Sequence, residues 1–105
     1  MATVNYKKEL HELVEIVISE SSSDLHLSVG SHPMIRVSGS LIPLVKKPIL
    51  TQPDVDSFLK ELMQKEQYDR FVTNHEMDFS YAYSEGVRFR GNAFFERGSM
   101  SVALR

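Results

Sequence analysis

Apolar residues recur along this chain at two different periods, and each change of period marks a change of element. Leu10, Leu13, Val14 and Val17 fall at helical spacing, which predicts an amphipathic helix over residues 5–19 with one packed face. Ser21-Ser22-Ser23 ends it. From Asp24 to Val29 the period becomes two, with Leu25, Leu27 and Val29 on one side and Asp24, His26 and Ser28 on the other, the mark of a half-buried strand. Gly30-Ser31-His32-Pro33 is turn chemistry. Met34–Val37 and Leu41–Leu44 then read as short strands joined through Ser38-Gly39-Ser40 as a hairpin.

Pro43 and Pro48 frame a loop that ends at a second helix start. Thr51, with Pro53 behind it and Asp54 three residues on, resembles a capping box. Val55, Phe58, Leu59, Leu62 and Met63 line the face that follows, and a shorter helix over 65–73 should bury Tyr68 and Phe71. From Glu76 the period is two again: Met77, Phe79, Tyr81 and Tyr83 alternate with Asp78, Ser80 and Ala82. Glu85-Gly86 turns the chain into a long strand, Val87–Phe95. Glu96-Arg97-Gly98-Ser99 turns it again into Met100–Leu104. Strands and helices segregate instead of alternating singly, so the expected fold class is α+β, a single antiparallel sheet with helices packed against it. Leu25, Leu27, Phe79, Phe89 and Val102 are expected to pack on helices carrying Leu13, Val17, Phe58 and Leu62.

Composition adds bounds. The 105 residues suit one domain, and 42% hydrophobic with 25% charged is ordinary for a globular chain. Cysteine is absent, which excludes disulfides and thiolate metal sites. No apolar run approaches the roughly 20 residues of a membrane helix, and the start, Met1 to Glu9, leads into a helix without a signal-peptide core. A cytoplasmic location is the default expectation. The net charge of −2 gives no reason to invoke a nucleic-acid partner. Its distribution is uneven. Asp54, Asp56, Glu61, Glu66, Asp69, Glu76 and Asp78 make the middle acidic, whereas Arg88, Arg90, Arg97 and Arg105 face only Glu96 near the end.

No self-contained active site emerges. There is no G-x-x-x-x-G-K-[S/T] phosphate loop and no serine in a G-x-S-x-G elbow. His11, His26, His32 and His75 never fall at metal-ligand spacing with a carboxylate. Asp24 and His26 share a strand face and are close enough to touch. The ordinary role of an Asp at a strand start, however, is to satisfy nearby backbone donors. Tyr81 and Tyr83 read as core residues rather than a stacking platform. Gly91 interrupts the longest strand and signals a bulge or a close backbone approach.

Two words in the sequence are more specific. The first is Ser23-Asp24-Leu25-His26-Leu27-Ser28-Val29-Gly30, followed by Pro33-Met34-Ile35-Arg36-Val37, Gly39 and Leu41. The second is Asp78-Phe79-Ser80-Tyr81, then Gly86, Arg88-Phe89-Arg90, Asn92-Ala93-Phe94, Arg97-Gly98 and a close at Leu104-Arg105. In this order and separation they resemble the opening region of the PilT-like twitching-motility and secretion ATPases, over nearly the whole chain. Ser22, His32 and Gly91 depart from that family's pattern, which has Ala, Pro and Val there.

The resemblance implies a single PAS-like N-terminal domain over residues 1–105, with a RecA-like motor domain elsewhere in the parent protein. It implies ATP as the parent's nucleotide, with Mg held by that motor domain and no cofactor held by these residues alone. Implied partners are the motor domains of its own and neighbouring subunits in a homo-hexamer, and the inner-membrane pilus machinery on the cytoplasmic side. It also implies phosphate-facing arginines, carried over as Arg90 and Arg105 first, then Arg97 and Arg88. Guanidinium suits that role because it is planar and always charged. The end at Arg105, inside a predicted strand, fits a part of something larger. Two rival readings remain: a free-standing PAS-like ligand-sensing or protein-interaction domain, its pocket among Met77, Phe79, Tyr81 and Phe95, and an assembly module whose arginines make salt bridges and never meet nucleotide.

Overall fold

The first helix begins where a side chain can end the run of unpaired backbone donors. In the computed structural model, which describes residues 4–105, Asn5 Oδ1 accepts from the Lys8 amide at 3.1 Å and caps α1, Tyr6–Ser19. The expectation that Met1-Ala2-Thr3 lead into this helix lies outside the described residues. The helix buries Leu10, Leu13, Val14 and Val17, the four positions its periodicity marks. After it come β1 (Asp24–Ser28), β2 (Met34–Val37) and β3 (Ser40–Pro43). Ser38 and Gly39 join β2 to β3 with φ of 51° and 84°, the left-handed pair that a two-residue hairpin of matching twist requires. That tight turn starts β3 one residue earlier than the sequence pattern indicates.

Helix α2, Gln52–Leu62, opens on a complete capping box. The Asp54 amide donates to Thr51 Oγ1 at 3.3 Å, and the Thr51 amide donates to Asp54 Oδ2 at 2.8 Å. Burial pushes the Asp54 carboxyl up, but the hydrogen bonds from Thr51 and from the Tyr6 hydroxyl outweigh it and hold the group below its ordinary value. Helix α3, Lys65–Asn74, ends on His75, left-handed at φ 65°, whose ring packs 4.7 Å from that of Phe95. Phe71 is fully buried and stacks on Phe95. Tyr68 is only half buried, because its hydroxyl reaches out to donate to Asp56. Burial and that carboxylate together push its pKa up to about 12.

The last three elements are β4 (Glu76–Ser84), β5 (Val87–Glu96) and β6 (Ser99–Leu104). All six strands form one antiparallel sheet in the order β3-β2-β1-β6-β5-β4. The α+β expectation is met, and the two halves of the chain join where β1 pairs with β6. Leu25, Leu27, Phe79, Phe89 and Val102 lie in one core with Leu13, Val17, Phe58 and Leu62. Each fully buried large side chain there is worth about 1.5–3 kcal/mol relative to exposure. Gly91 marks no bulge. The register shift falls between Ala82 and Ser84, and Gly91 instead gives way to the ring of Phe79, its partner across the sheet. Of the side chains expected to line a sensor pocket, Phe79 closes over Gly91 and Phe95 is stacked on Phe71 at 4.9 Å, whereas Met77 and Tyr81 are half buried and Phe79 and Tyr81 also border an open depression of about 640 Å³.

Candidate functional site

Pairing across the sheet decides which polar side chains meet. Residues directly opposite one another point to the same face. The inward set runs through Ile35, Leu25, Leu104, Gly91 and Phe79, so the neighbouring row points outward, away from the core. That row is Arg36 on β2, Asp24 on β1, Arg105 just past β6, Arg90 on β5 and Ser80 on β4. Arg90 and Arg105 are locked together by their main chains: each amide donates to the other's carbonyl, at 2.9 and 2.8 Å. Two guanidinium stems therefore leave the sheet side by side, about 5.5 Å apart at Cα.

The acid in the row is already committed. Asp24 is only 9% exposed, and its Oδ2 lies 3.3 Å from Arg36 Nε and 3.2 Å from His26 Nε2. The partners of this carboxyl are side chains rather than the backbone donors expected at a strand start. Burial raises its pKa, but hydrogen bonds from Ser23, His26 and Arg36 prevail and hold it below the ordinary aspartate value. Arg36 also donates to the Gly39 carbonyl at 3.0 Å. Among the described residues Arg88, Arg90, Arg97 and Arg105 make no ion pair. One arginine of the open face is neutralised, and the two beside it are free.

A shallow depression of about 470 Å³ lies on this face, lined by Arg90, Arg105, His26, Asn92, Asp78, Phe94 and Ala103. Asn92 Nδ2 donates to Asp78 Oδ1 at 2.8 Å, which engages one oxygen of the carboxylate in the lining and leaves its charge in place. The unpaired donors that remain are the two guanidiniums, since His26 Nε2 is taken up by Asp24. Such a set suits a phosphate or carboxylate group. Arg88 is on the same face as Arg90, two residues along β5 and opposite Ala82. Arg97 is not with them. It sits in the β5–β6 turn at φ 53°, seven residues from Arg90, which is roughly 23 Å along a strand. The structure thus brings together Arg88, Arg90 and Arg105 and leaves Arg97 at the far end.

His26, Asn92 and the Asp24–Arg36 pair were not among the residues the sequence singled out as phosphate-facing. The available signal was the second period-two run: Asp78 and Asn92 fall opposite each other once the hairpin is closed at Glu85-Gly86. No pattern within β1 alone shows that it lies beside β6. Among the described residues there is no group of three His, Asp or Glu side chains able to hold a metal ion.

No family model matches the sequence. Individual proteins do. The chain is 36% identical over 97 residues to the type IV pilus retractation ATPase PilT of Pseudomonas aeruginosa, covering 92% of this chain and 28% of that protein. It is 28% identical over 97 residues to the type IV pilus ATPase PilU of the same organism, covering 92% and 25%. A crystal structure of the pilus retraction motor PilT with bound ADP matches with a TM-score of 0.81 and 34% identity, over 91% of this chain and 28% of that one. The chain is an N-terminal domain of the PilT-like ATPase family. It spans about a quarter of the length of the curated relatives it matches. The PilT-like domain shares its fold, at 18% identity and a TM-score of 0.77, with the ATPase DotB of Legionella pneumophila.

Proposed function

We propose that residues 1–105 form the single N-terminal, PAS-like domain of a hexameric pilus-retraction motor. In this reading ATP and its Mg are bound by a RecA-like motor domain in the rest of the protein, on the cytoplasmic face of the inner membrane. The domain adds guanidinium groups, Arg90 and Arg105 foremost and Arg88 behind them, to the phosphates of that nucleotide, and packs against a neighbouring subunit's motor domain. Arg97, in the β5–β6 turn, stands apart from this group. Hydrolysis drives pilus disassembly through inner-membrane machinery. No nucleic acid takes part.

One observation carries this reading. Arg90 and Arg105 stand directly opposite each other on an uncovered face with no carboxylate bound, while the neighbouring Arg36 is held by Asp24. Two unpaired guanidiniums rising from paired backbone positions suit phosphoryl oxygens, because bidentate charge-assisted bonds to oxyanions are among the stronger polar contacts available to a side chain. The role is to stabilise charge as the γ-phosphoryl group departs, a contribution of about 10³-fold or more where arginines act this way.

The test is ATP turnover by the full-length protein carrying Arg90→Ala or Arg105→Ala. Turnover should fall strongly in both. Lysine at either position should restore only part of it, because an ammonium cannot reproduce the planar fork. Normal turnover in both alanine variants would show that the arginines serve assembly alone.

A further inference from the structure

One carboxylate on the open face stands between two guanidiniums and binds one of them. Asp24 on β1 is directly opposite Arg36 on β2 and, one step past the Leu25–Leu104 pair, directly opposite Arg105. Side chains that face each other in this way have Cβ atoms about 4.5–5.5 Å apart, so both arginines are within reach of the same acid. Yet Asp24 Oδ2 lies 3.3 Å from Arg36 Nε, and among the described residues no ion pair joins it to Arg105.

Contacts on the β1–β2 side decide between them. The Ser22 hydroxyl lies 2.8 Å from the carbonyl oxygens of both Asp24 and Arg36, and the amides of these residues donate to it at 3.3 and 3.2 Å. One oxygen thus stitches the two main chains where the pair leaves the sheet. The Arg36 head is held a second time, because Nη1 donates to the Gly39 carbonyl at 3.0 Å in the β2–β3 turn. His26, two residues along β1, adds Nε2 at 3.2 Å from the same carboxylate oxygen. The Arg105 side chain makes none of these contacts and is exposed.

Removing the Arg36 head would leave a nearly buried carboxylate, 9% exposed, with a charge to compensate. The guanidinium opposite on β6 is placed to do so, and a change of side-chain rotamer suffices to bring it over. Carboxylate and phosphate compete for the same planar fork, so an Arg105 closed on Asp24 has none to offer. We propose that Arg36 is a positioning residue: by holding Asp24 it keeps Arg105 open for an oxyanion. The inference rests on the phosphate-facing reading above. It adds that the open state of Arg105 depends on a residue two strands away that touches no phosphate itself.

Arginine labelling of the nucleotide-free, full-length protein tests this, beside ATP turnover. Phenylglyoxal should modify Arg105, followed by peptide mass spectrometry, at least about threefold more slowly in Arg36→Gln than in the unaltered protein, a change within reach of one guanidinium–carboxylate pair. Adding Asp24→Asn to Arg36→Gln should restore the rate, because no charge is left to close on Arg105. Arg97, in the far turn, should react alike in all three proteins. Equal labelling of Arg105 in all three overturns the proposal. Where Arg36→Gln does not fold, Arg36→Lys carries the test, since Asp24 there keeps a cation. An ammonium cannot hold both Asp24 and the Gly39 carbonyl as the fork does, so Arg105 labelling should slow by a smaller factor, and an unchanged rate overturns the proposal too. Turnover should fall in Arg36→Gln by a factor comparable to the slowing of labelling and recover in the double variant. A double variant that turns over no faster than Arg36→Gln assigns Arg36 a purely structural role and overturns the proposal. Normal turnover in Arg105→Ala beside slowed labelling in Arg36→Gln would overturn the phosphate reading and uphold the exchange of partners. Unchanged labelling with turnover lost in Arg105→Ala would overturn the exchange alone.

Discussion

Gly91→Ala should destabilise the domain, although a glycine inside a strand is ordinarily a weakness. Alanine in place of a strand glycine normally gains about 0.5–1 kcal/mol through the unfolded chain. Here a Cβ at Gly91 would lie 2.2 Å from Phe79 Cζ and 2.4 and 2.7 Å from its two Cε atoms. Carbon atoms prefer about 3.5–4 Å, so the ring would have to retreat by more than 1 Å. Phe79 is only 6% exposed, and its ring is part of the core. Overpacking of this order costs about 1–3 kcal/mol. The net expectation is a loss of about 1–2 kcal/mol, which for a domain near 100 residues lowers Tm by roughly 4–15 °C. Thermal melts by circular dichroism read this directly. The companion experiment repeats the change in a Phe79→Leu background, where the smaller side chain vacates the space and Gly91→Ala should be neutral or favourable. A double-mutant cycle isolates that coupling. A Tm for Gly91→Ala at or above that of the unaltered chain would refute the steric account.

Two further outcomes follow from the open face. Arg90→Ala and Arg105→Ala should each change the stability of this chain by no more than about 1 kcal/mol, because neither guanidinium has a carboxylate to leave behind; a larger drop in thermal melts would mean a structural role the ion-pair geometry does not show. Asp24→Asn should cost about 1–3 kcal/mol, since it weakens the hold on Arg36 at a nearly buried position. The carboxyl's folded pKa is depressed, so its stabilisation is present above the unfolded value of about 3.9 and is lost as pH falls through the lower folded value. Acid titration of stability should therefore be steeper in the unaltered chain than in Asp24→Asn, and parallel curves would contradict the pairing.

Elements whose signal is local were legible from the sequence. The four buried residues of α1, the capping box at Thr51 and the hairpin turn at Ser38-Gly39 each depend on neighbours within a few positions, so periodicity and turn chemistry suffice. Arg88 and Arg90 share a face for the same reason, a spacing of two in one strand. What local pattern does not carry is which strand lies beside which. The pairing of β1 with β6 brings together residues about 80 positions apart, and only that pairing places Asp24 next to Arg105. Gly91 shows the same limit: its anomaly was visible, but a bulge and a close approach differ only in what sits across the sheet. Arg97 reads like its fellows in a list of arginines and separates from them only when the strand between is given its length.

The open face divides its charges in a way that bears on function. Four consecutive positions across β2, β1, β6 and β5 hold Arg36, Asp24, Arg105 and Arg90. If the row existed only for stability, its acid would serve best between two arginines with both heads engaged, since an unpaired guanidinium gains little from a surface position. Asp24 is instead drawn toward Arg36 and His26, and Asp78, the other acid near Arg90, is taken up by Asn92. Both carboxylates close to the free pair are thus engaged by other side chains. At the same time the reciprocal main-chain bonds fix the bases of Arg90 and Arg105 on the sheet, where position is better defined than on a loop. Fixed stems with uncommitted heads are the arrangement that binding an external anion requires. On the proposed reading, these two positions should tolerate alanine in the isolated domain and not in the full-length protein.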